Sequence, residues 1–154
     1  MPKKNIKKKF HYPLGLIENL ILDIDNYKEF LPWCTNSKII SKKKNQNSIE
    51  IIADLEIGYS FAKDVYTSHV KYDIKKRKII VNAINGPLKT LENIWTLNEI
   101  NESECDVEFF INLELKNIIL NKMLNKMLLS SKYLDELADL LQKEINKRGI
   151  TKKV

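Results

Sequence analysis

The sequence contains few of the residues that build metal centres or redox pairs. Its 154 residues include two cysteines, Cys34 and Cys105, and two histidines, His11 and His69, with no second ligand close to any of them. This spacing matches neither a zinc site nor a CxxC pair. We therefore expect two reduced thiols in a reducing compartment, no metal centre and no cofactor.

Long apolar runs are missing as well. No run of about 18 apolar residues occurs, so the sequence predicts no membrane-spanning helix. Residues 1–9 are basic like the start of a signal peptide, but Glu18, Asn19 and Asp23 interrupt the apolar stretch that should follow. No small-x-small cleavage site comes after that stretch. We expect the whole chain to be the mature protein, in the cytoplasm.

Arginine is scarce although the chain is basic. The formal net charge is +6, yet Arg77 and Arg148 are the only arginines among 26 basic residues. Proteins that read DNA favour arginine for its bidentate guanidinium group. We interpret the lysines as solvated strand ends and tails, and we expect no DNA partner. The basic clusters cover residues 3–9, 42–44, 75–78 and 143–153.

Recognisable catalytic motifs are absent from the sequence. It has no glycine-rich phosphate loop and no Ser-His-Asp set. An acid/base site needs carboxylates that converge in a pocket, whereas those of the central region are predicted to face solvent. This pattern favours a binding protein over an enzyme, although a fold alone excludes neither. The carboxylates concerned are Glu50, Asp54, Glu56, Glu92 and Glu108.

What the sequence does contain is apolar periodicity sufficient for one domain, residues 1–154, with its core over about 3–148. Pro13 is suited to open a helix that runs to about Asp23, and a short helix follows over 27–31. From Ser37 the apolar period becomes two, which is typical of half-buried antiparallel strands. The predicted strands cover about 49–61, 64–74, 78–85, 89–100 and 105–116.

The last forty residues return to helical spacing. Their apolar residues form one stripe, which predicts a long helix that ends near Gly149. A strand, two short helices, five or six antiparallel strands and a long helix together predict an α+β fold. We expect a twisted antiparallel sheet wrapped around the C-terminal helix, with an apolar pocket between them. The stripe contains Leu120, Leu124, Met127, Leu134, Leu137, Leu141 and Ile145.

Three segments together carry a family resemblance: Asn26-Tyr-Lys-Glu-Phe-Leu-Pro-Trp-Cys34, Asn85-Gly-Pro-Leu-Lys-Thr-Leu-Glu-Asn-Ile-Trp95 and Asp64-Val-Tyr-Thr-Ser68. The first resembles the segment after the first helices of the coenzyme Q-binding START-like family, in the polyketide cyclase/dehydrase-like superfamily. The second resembles that family's Gly-Pro turn, which leads into a strand with a Leu and a Trp. The third is a weaker match. The likeness extends over roughly residues 3–148.

The resemblance implies a helix-grip fold and a pocket for ubiquinone or a similar isoprenoid lipid. The implied role is non-catalytic support of respiratory electron transport. The same family includes ribosome-association toxins, so binding to the large ribosomal subunit is the alternative; a polyketide cyclase-like enzyme is a third. A quinone carrier also implies peripheral contact with the anionic surface of the inner membrane. The candidate docking residues are Lys3, Lys4, Lys7, Lys8 and Lys9.

The candidate ligand-binding residues match the family motifs or line the inferred pocket. The aromatic residues around Trp33 suit a quinone ring, and equally a plug between the short helices and the sheet. Gly86-Pro87 suits a gate, or is only a turn. Met127 and its neighbours suit a flexible tail, or plain helix-on-sheet packing. The full set is Tyr27, Phe30, Leu31, Trp33, Tyr59, Phe61, Gly86, Pro87, Leu88, Leu91, Trp95, Phe109, Ile111, Leu124, Met127 and Leu128.

Overall fold

The computed structural model describes residues 3–31, 34–59, 62–86, 88–129, 139–140, 142–144 and 146–147. Within these ranges a first strand is followed by short helices, six further strands and a helix. In chain order the elements are β1 (Lys3–Phe10), α1 (Leu14–Leu22), a 3-10 helix (Ile24–Asn26), α2 (Tyr27–Phe30), β2 (Cys34–Lys44), β3 (Ser48–Tyr59), β4 (Ala62–Asp73), β5 (Lys78–Asn85), β6 (Leu88–Asn101), β7 (Glu104–Leu115) and α3 (Ile118–Leu129).

The seven strands form one antiparallel sheet in the order β1-β7-β6-β5-β4-β3-β2. Strands β2 to β7 pair with their neighbours in the chain, as successive hairpins do. Strand β1 instead pairs with β7 at the opposite edge from β2. The predicted α+β class, with short helices between the first strand and an antiparallel run, is confirmed.

The two ends of the sheet carry different connections. At one, here called the α3 end, lie the β3–β4 and β5–β6 connections, and β7 passes into α3. At the other, here called the far end, the β2–β3, β4–β5 and β6–β7 hairpins turn. Strand β1 begins at the α3 end, where Lys3 pairs with Asn112. It finishes at the far end, where Phe10 pairs with Cys105.

Burial alternates along the strands and identifies the inner face of the sheet. In β3, Ile51, Ala53 and Leu55 are buried, while the residues between them keep part of their surface accessible. Period two is expected for a sheet that packs one face on a core. Helix α1 begins directly after Pro13, as predicted, and packs against β6 with Ile17 fully buried.

The C-terminal segment is helical where it is described. Helix α3 is capped by Asn117, whose Oδ1 accepts a hydrogen bond from the Leu120 amide at 3.1 Å. Leu120 is buried, as the apolar stripe predicts. Residues 139–140, 142–144 and 146–147 are also helical, and there Leu140 packs on the core beside a buried Glu144, whose burial was not predicted. Four stripe residues, Leu134, Leu137, Leu141 and Ile145, lie outside the described residues.

In the part of the chain that the structure describes, no helix has both the length and the apolar character needed to cross a bilayer.

Candidate ligand-binding face

The inner face of β6 and β7 carries large apolar side chains that are not completely covered. Leu91, Trp95 and Ile111 lie on this face yet are half-buried, whereas Leu97 and Phe109 beside them are buried. An apolar side chain that faces the core but keeps accessible surface borders open space. Trp95 shares its face with Leu91 and Leu97, as the sequence predicted.

Trp95 is held in a defined orientation on this face. Its indole Nε1 donates a hydrogen bond to Asn93 Oδ1 at 2.8 Å, and Asn93 Nδ2 donates to the Phe110 carbonyl at 2.9 Å. Its ring meets that of Phe109 edge-on, with centroids 4.6 Å apart. Asn93 is buried and was not among the predicted site residues; its position two residues before Trp95 in the same strand was the available signal. The pair makes a rigid aromatic wall with its polar groups satisfied.

A second aromatic group comes from α2 and β4. The rings of Tyr27 and Phe30 meet edge-on with centroids 5.9 Å apart. The Tyr27 hydroxyl donates a hydrogen bond to the Ile21 carbonyl. Burial raises the pKa of Tyr27, and its neighbours Tyr66 and Cys34 raise it further. Burial likewise raises the pKa of Tyr66. Tyr27 and Tyr66 therefore stay neutral and present aromatic surface at the α3 end.

The buried thiol of Cys34 belongs to this second group. Burial raises the pKa of the Cys34 thiol, and its Sγ lies 3.3 Å from the Asn36 carbonyl. A neutral buried thiol is a poor nucleophile and a poor metal ligand. Among the described residues, no group of three His, Cys, Asp or Glu side chains converges as a metal site would require.

The Gly86 turn packs directly against β4 at Tyr66. Gly86 has a φ of +123°, and a Cβ at this position would lie 2.7 Å from Tyr66 Cα. Neither that backbone conformation nor that spacing admits a side chain. The glycine of the Gly-Pro motif is thus explained by close approach to the strand that carries Tyr66.

Asp64 is an inner-face carboxylate that the sequence analysis did not identify as a site residue. It pairs in register with Ile57, which is buried, and lies two residues before the buried Tyr66. Its Oδ2 atom is buried and has no hydrogen-bond partner among the described residues. The alternation of β4 was the signal that places it inside, since Tyr66, Ser68 and Val70 occupy the same face.

The predicted carboxylates lie on the outer face, as expected, with Glu92 and Glu108 exposed. Outer-face neighbours bind three of them: His69 Nε2 lies 2.7 Å from Glu50, and the hydroxyls of Thr67 and Thr35 donate to Asp54 and Glu56.

Glu18 is a carboxylate to which the sequence analysis assigned no structural role. It accepts a hydrogen bond from the fully buried Tyr72 and lies 3.5 Å from Arg77, which ties α1 to the far end of the sheet.

The predicted ligand-binding residues divide into three groups. Tyr27, Phe30 and Leu31 lie in or directly after α2, Gly86 packs against Tyr66, and Leu91, Trp95, Phe109 and Ile111 form the wall described above. Trp33, Phe61 and Pro87 lie outside the described residues. The side chains of Tyr59, Leu88, Leu124, Met127 and Leu128 also lie outside what the structure describes, and their roles stay predictions.

The three N-terminal lysines with described side chains, Lys7, Lys8 and Lys9, do not form one patch. They lie on an edge strand, so their side chains alternate between the two faces. Lys7 is opposite Glu108 and Lys9 opposite Asp106 on the outer face, and Lys9 Nζ lies 3.5 Å from Glu104 at the far end. Lys8 pairs with the inner-face residue Val107. Lys3 and Lys4 begin the strand at the α3 end, and their side chains lie outside the described part.

Comparison with known proteins identifies a matching family and similar relatives. Residues 12–131 match a family model described as polyketide cyclase / dehydrase and lipid transport. The mitochondrial coenzyme Q-binding protein COQ10 of Dictyostelium discoideum is 37% identical over 98 residues, which are 62% of this chain and 46% of that protein. This chain therefore matches less than half of that relative's length. Ribosome association toxin RatA of Rickettsia prowazekii is 32% identical over 109 residues, 69% of this chain and 71% of the toxin.

Solved structures agree on the fold. A START superfamily protein from Mycobacterium smegmatis superimposes with a TM-score of 0.72 at 14% identity, covering 94% of this chain and 97% of that one. An 18 kDa protein from Caulobacter crescentus gives 0.68 at 26% identity, with 96% and 95% covered. An aromatase/cyclase from Streptomyces gives 0.67 at 14% identity, with 96% of each chain covered. The expected helix-grip fold and the START-like resemblance are confirmed.

Proposed function

Since this chain belongs to the polyketide cyclase / dehydrase and lipid transport family, we propose that it binds coenzyme Q or a similar isoprenoid quinone without catalysing its conversion. The observation that carries the proposal is the half-buried aromatic wall around Trp95, at the inner face of the sheet. A flat conjugated ring stacks well on such a wall. The 37% identity to a protein named as coenzyme Q-binding supports the same ligand class.

The energetics suit a ligand that is held by apolar contact. Burying one methylene contributes about 0.8 kcal/mol, so a ring with one or two isoprene units gains several kcal/mol in a dry cleft. Pockets of this kind hold about 300–1,000 Å³, which is less than a long polyprenyl tail requires. The proposal therefore places the head group on the inner face and most of the tail outside, at a membrane surface that the protein contacts peripherally.

The first test measures the ligand directly. The protein is purified from a quinone-producing host, extracted with organic solvent and analysed by mass spectrometry. We expect a quinone in stoichiometric amount, and an ultraviolet spectrum that changes on borohydride reduction. A protein that carries no quinone and does not take up added ubiquinone would contradict the proposal.

Substitution of the aromatic wall locates the site. Trp95→Leu removes the stacking surface and should weaken binding of a short-chain ubiquinone about tenfold or more, measured by fluorescence or calorimetric titration. The matched control is Phe110→Leu, which removes an aromatic ring from the outer face of the neighbouring strand, opposite Ile94. Equal losses in both variants would show that the effect comes from the sheet as a whole.

Ribosome association is the second candidate function. It is favoured by the 32% identity to a ribosome association toxin, which covers 71% of that relative. A protein that contacts rRNA phosphates loses affinity steeply as salt rises. Sedimentation of the purified protein with large ribosomal subunits at 50 and 200 mM salt therefore tests it, and binding that resists salt would argue against phosphate contacts.

The non-catalytic part of the proposal rests on where the acidic groups lie. The carboxylates of β3 point outward and are bound by Thr and His side chains, so they supply no acid/base pair to the wall around Trp95. The aromatase/cyclase neighbour shares the fold at 14% identity, which carries no reaction to this chain. Recovery of the bound quinone chemically unchanged after prolonged incubation is the expected result.

A further inference from the structure

The first turn of α3 exposes two large apolar side chains. Ile118 is 70% exposed and Ile119 44%, whereas Leu120 beside them is buried in the core. The helix follows directly after β7, so the two isoleucines lie at the α3 end of the sheet. Single apolar side chains on a surface need no explanation, but adjacent ones are typical of a contact with a partner.

Further exposed apolar side chains lie at the same end. Val65 is 51% exposed and Ile84 56%. Both lie beside the β5–β6 turn: Ile84 is two residues before Gly86, and a Cβ added to Gly86 would lie 3.0 Å from the Val65 carbonyl oxygen. Four of the seven large apolar side chains that are exposed in the described part of the chain therefore lie at the α3 end. The other three are scattered over β2, β5 and β6.

The charge around the isoleucine pair is of one sign. Lys116 precedes the pair, Lys122 and Lys126 follow it, and all three are exposed. Lys122 lies four residues after Ile118, and Lys126 four residues after Lys122, so the three share one side of α3. Residues 115–134 contain no acidic side chain. An exposed helix face that combines apolar and basic residues is typical of a helix on an anionic bilayer, whereas protein–protein interfaces are depleted in lysine.

The half-buried residues of the aromatic wall lead towards this end. Along β6 and β7, Trp95 is followed by Ile111, which pairs with Asn93, and then by Leu91, which pairs with Leu113. Trp95, Ile111 and Leu91 each keep accessible surface. A ligand whose ring lies on Trp95 can therefore extend its tail along these residues to the α3 end.

We propose that Ile118 and Ile119 insert into the interface of an anionic bilayer while Lys116 and Lys122 contact lipid phosphates, so that the α3 end faces the membrane. This inference rests on the proposed function, since the tail of a bound quinone would then pass from the inner face directly into the bilayer. It adds an apolar contact to attraction by lysines, and stable attachment to a membrane generally needs two such signals. The apolar contact resists salt, whereas the attraction of lysines is screened by it.

The experiment measures co-sedimentation of the full-length protein with quinone-free vesicles of equimolar phosphatidylcholine and phosphatidylglycerol. Ile118→Ser with Ile119→Ser removes the apolar pair without changing the charge or the intrinsic helix propensity. Vesicle binding should weaken about tenfold or more, and the part that persists at high salt should be lost. The matched control is Ile40→Ser with Ile100→Ser, which replaces two isoleucines that are 55% and 43% exposed elsewhere on the sheet. It should bind vesicles as the wild-type protein does.

Ile118→Trp reports the insertion directly. Its fluorescence should be quenched by brominated lipid beyond the quenching of the wild-type protein, while Ile100→Trp at the far end should show no such increase. No added quenching at position 118, or vesicle binding that the serine pair leaves unchanged, would overturn the inference. So would a concentration-dependent dimer or a complex with large ribosomal subunits that the serine pair abolishes while vesicle binding is kept.

Titration with short-chain ubiquinone separates this inference from the proposed function. The serine pair should keep the wild-type affinity for the quinone, which also shows that its fold is intact. A wild-type protein that inserts into quinone-free vesicles but binds no quinone would overturn the proposed function and leave the insertion standing. A protein that binds quinone but no vesicles would overturn the insertion alone.

Discussion

Burial on the inner face of the sheet shifts the pKa of single residues. Cys105 is fully buried in β7, and burial raises the pKa of its thiol to about 11, with smaller contributions from Asp106 and Glu99. In the unfolded chain the thiol returns to its ordinary value of 9.0. The folded-state pKa is the higher one, so the contribution to stability is complete below pH 9.0 and is lost as the pH rises through about 11.

Cys105→Ala removes this titration. The wild-type protein should lose more stability between pH 8 and pH 10.5 than the variant does, because only the wild-type unfolded state releases the Cys105 proton in that window, while Cys34 contributes equally to both proteins. Urea unfolding midpoints across the pH range measure the difference. Parallel pH profiles for the two proteins would show that the thiol does not contribute, whatever the absolute stability of the variant.

At the scale of elements, the β5–β6 turn is constrained at Gly86, where it packs against β4. Gly86 has a φ of +123°, and a Cβ added to it would lie 2.7 Å from Tyr66 Cα. Only glycine at this position therefore allows the turn to approach β4 this closely.

Gly86→Ala should destabilise the fold by about 2 kcal/mol or more, since it adds both backbone strain and a steric clash. Gly15→Ala is the matched control. A Cβ there meets nothing within 4 Å, and alanine is the better helix former in α1, so this variant should be neutral or more stable by up to about 1 kcal/mol. Denaturant unfolding of both variants gives the comparison, and equal midpoints would refute the close approach.

Across the whole molecule, lysines that are adjacent in the chain are distributed over two faces and both ends of the sheet. Each lysine near an anionic bilayer contributes about 1 kcal/mol. Lys9 also faces Glu104 and Lys7 faces Glu108, so nearby acids offset part of their attraction to a membrane. If the N-terminal strand docks on an anionic membrane, we expect its start, at the α3 end, to contribute most.

Replacing Lys3, Lys4, Lys7, Lys8 and Lys9 with Gln should abolish binding to vesicles that contain anionic lipid, measured by co-sedimentation at low salt. The control makes the same change in charge at exposed positions of the far-end hairpins: Lys42, Lys43, Lys44, Lys75 and Lys76. Unchanged binding of the first variant would remove the docking proposal. Equal losses of vesicle binding in both variants would show that the attraction is non-specific and depends on net charge.

Much of the fold was predictable because its signals are local. Pro13 marked the start of α1, period two marked β3 to β7, and Leu91, Trp95 and Leu97 were assigned to one face from their spacing. The same alternation puts four of the candidate site residues, Leu91, Trp95, Phe109 and Ile111, on the inner face. The polar residues of that face were not predicted, because Asn93 and Asp64 carry side chains that by composition alone belong in solvent.

The sequence by itself determined the order of the elements and their inward faces, because helix starts, turn residues and apolar periods act between residues a few positions apart. The family was indicated separately, by the resemblance of three motif segments. Only the tertiary structure decided which distant groups meet. Tyr72 reaches Glu18 across 54 positions, and β1 pairs with β7 rather than with a neighbour in the chain. These contacts join segments that are far apart in the chain, and no connecting turn fixes their pairing as it does in a hairpin.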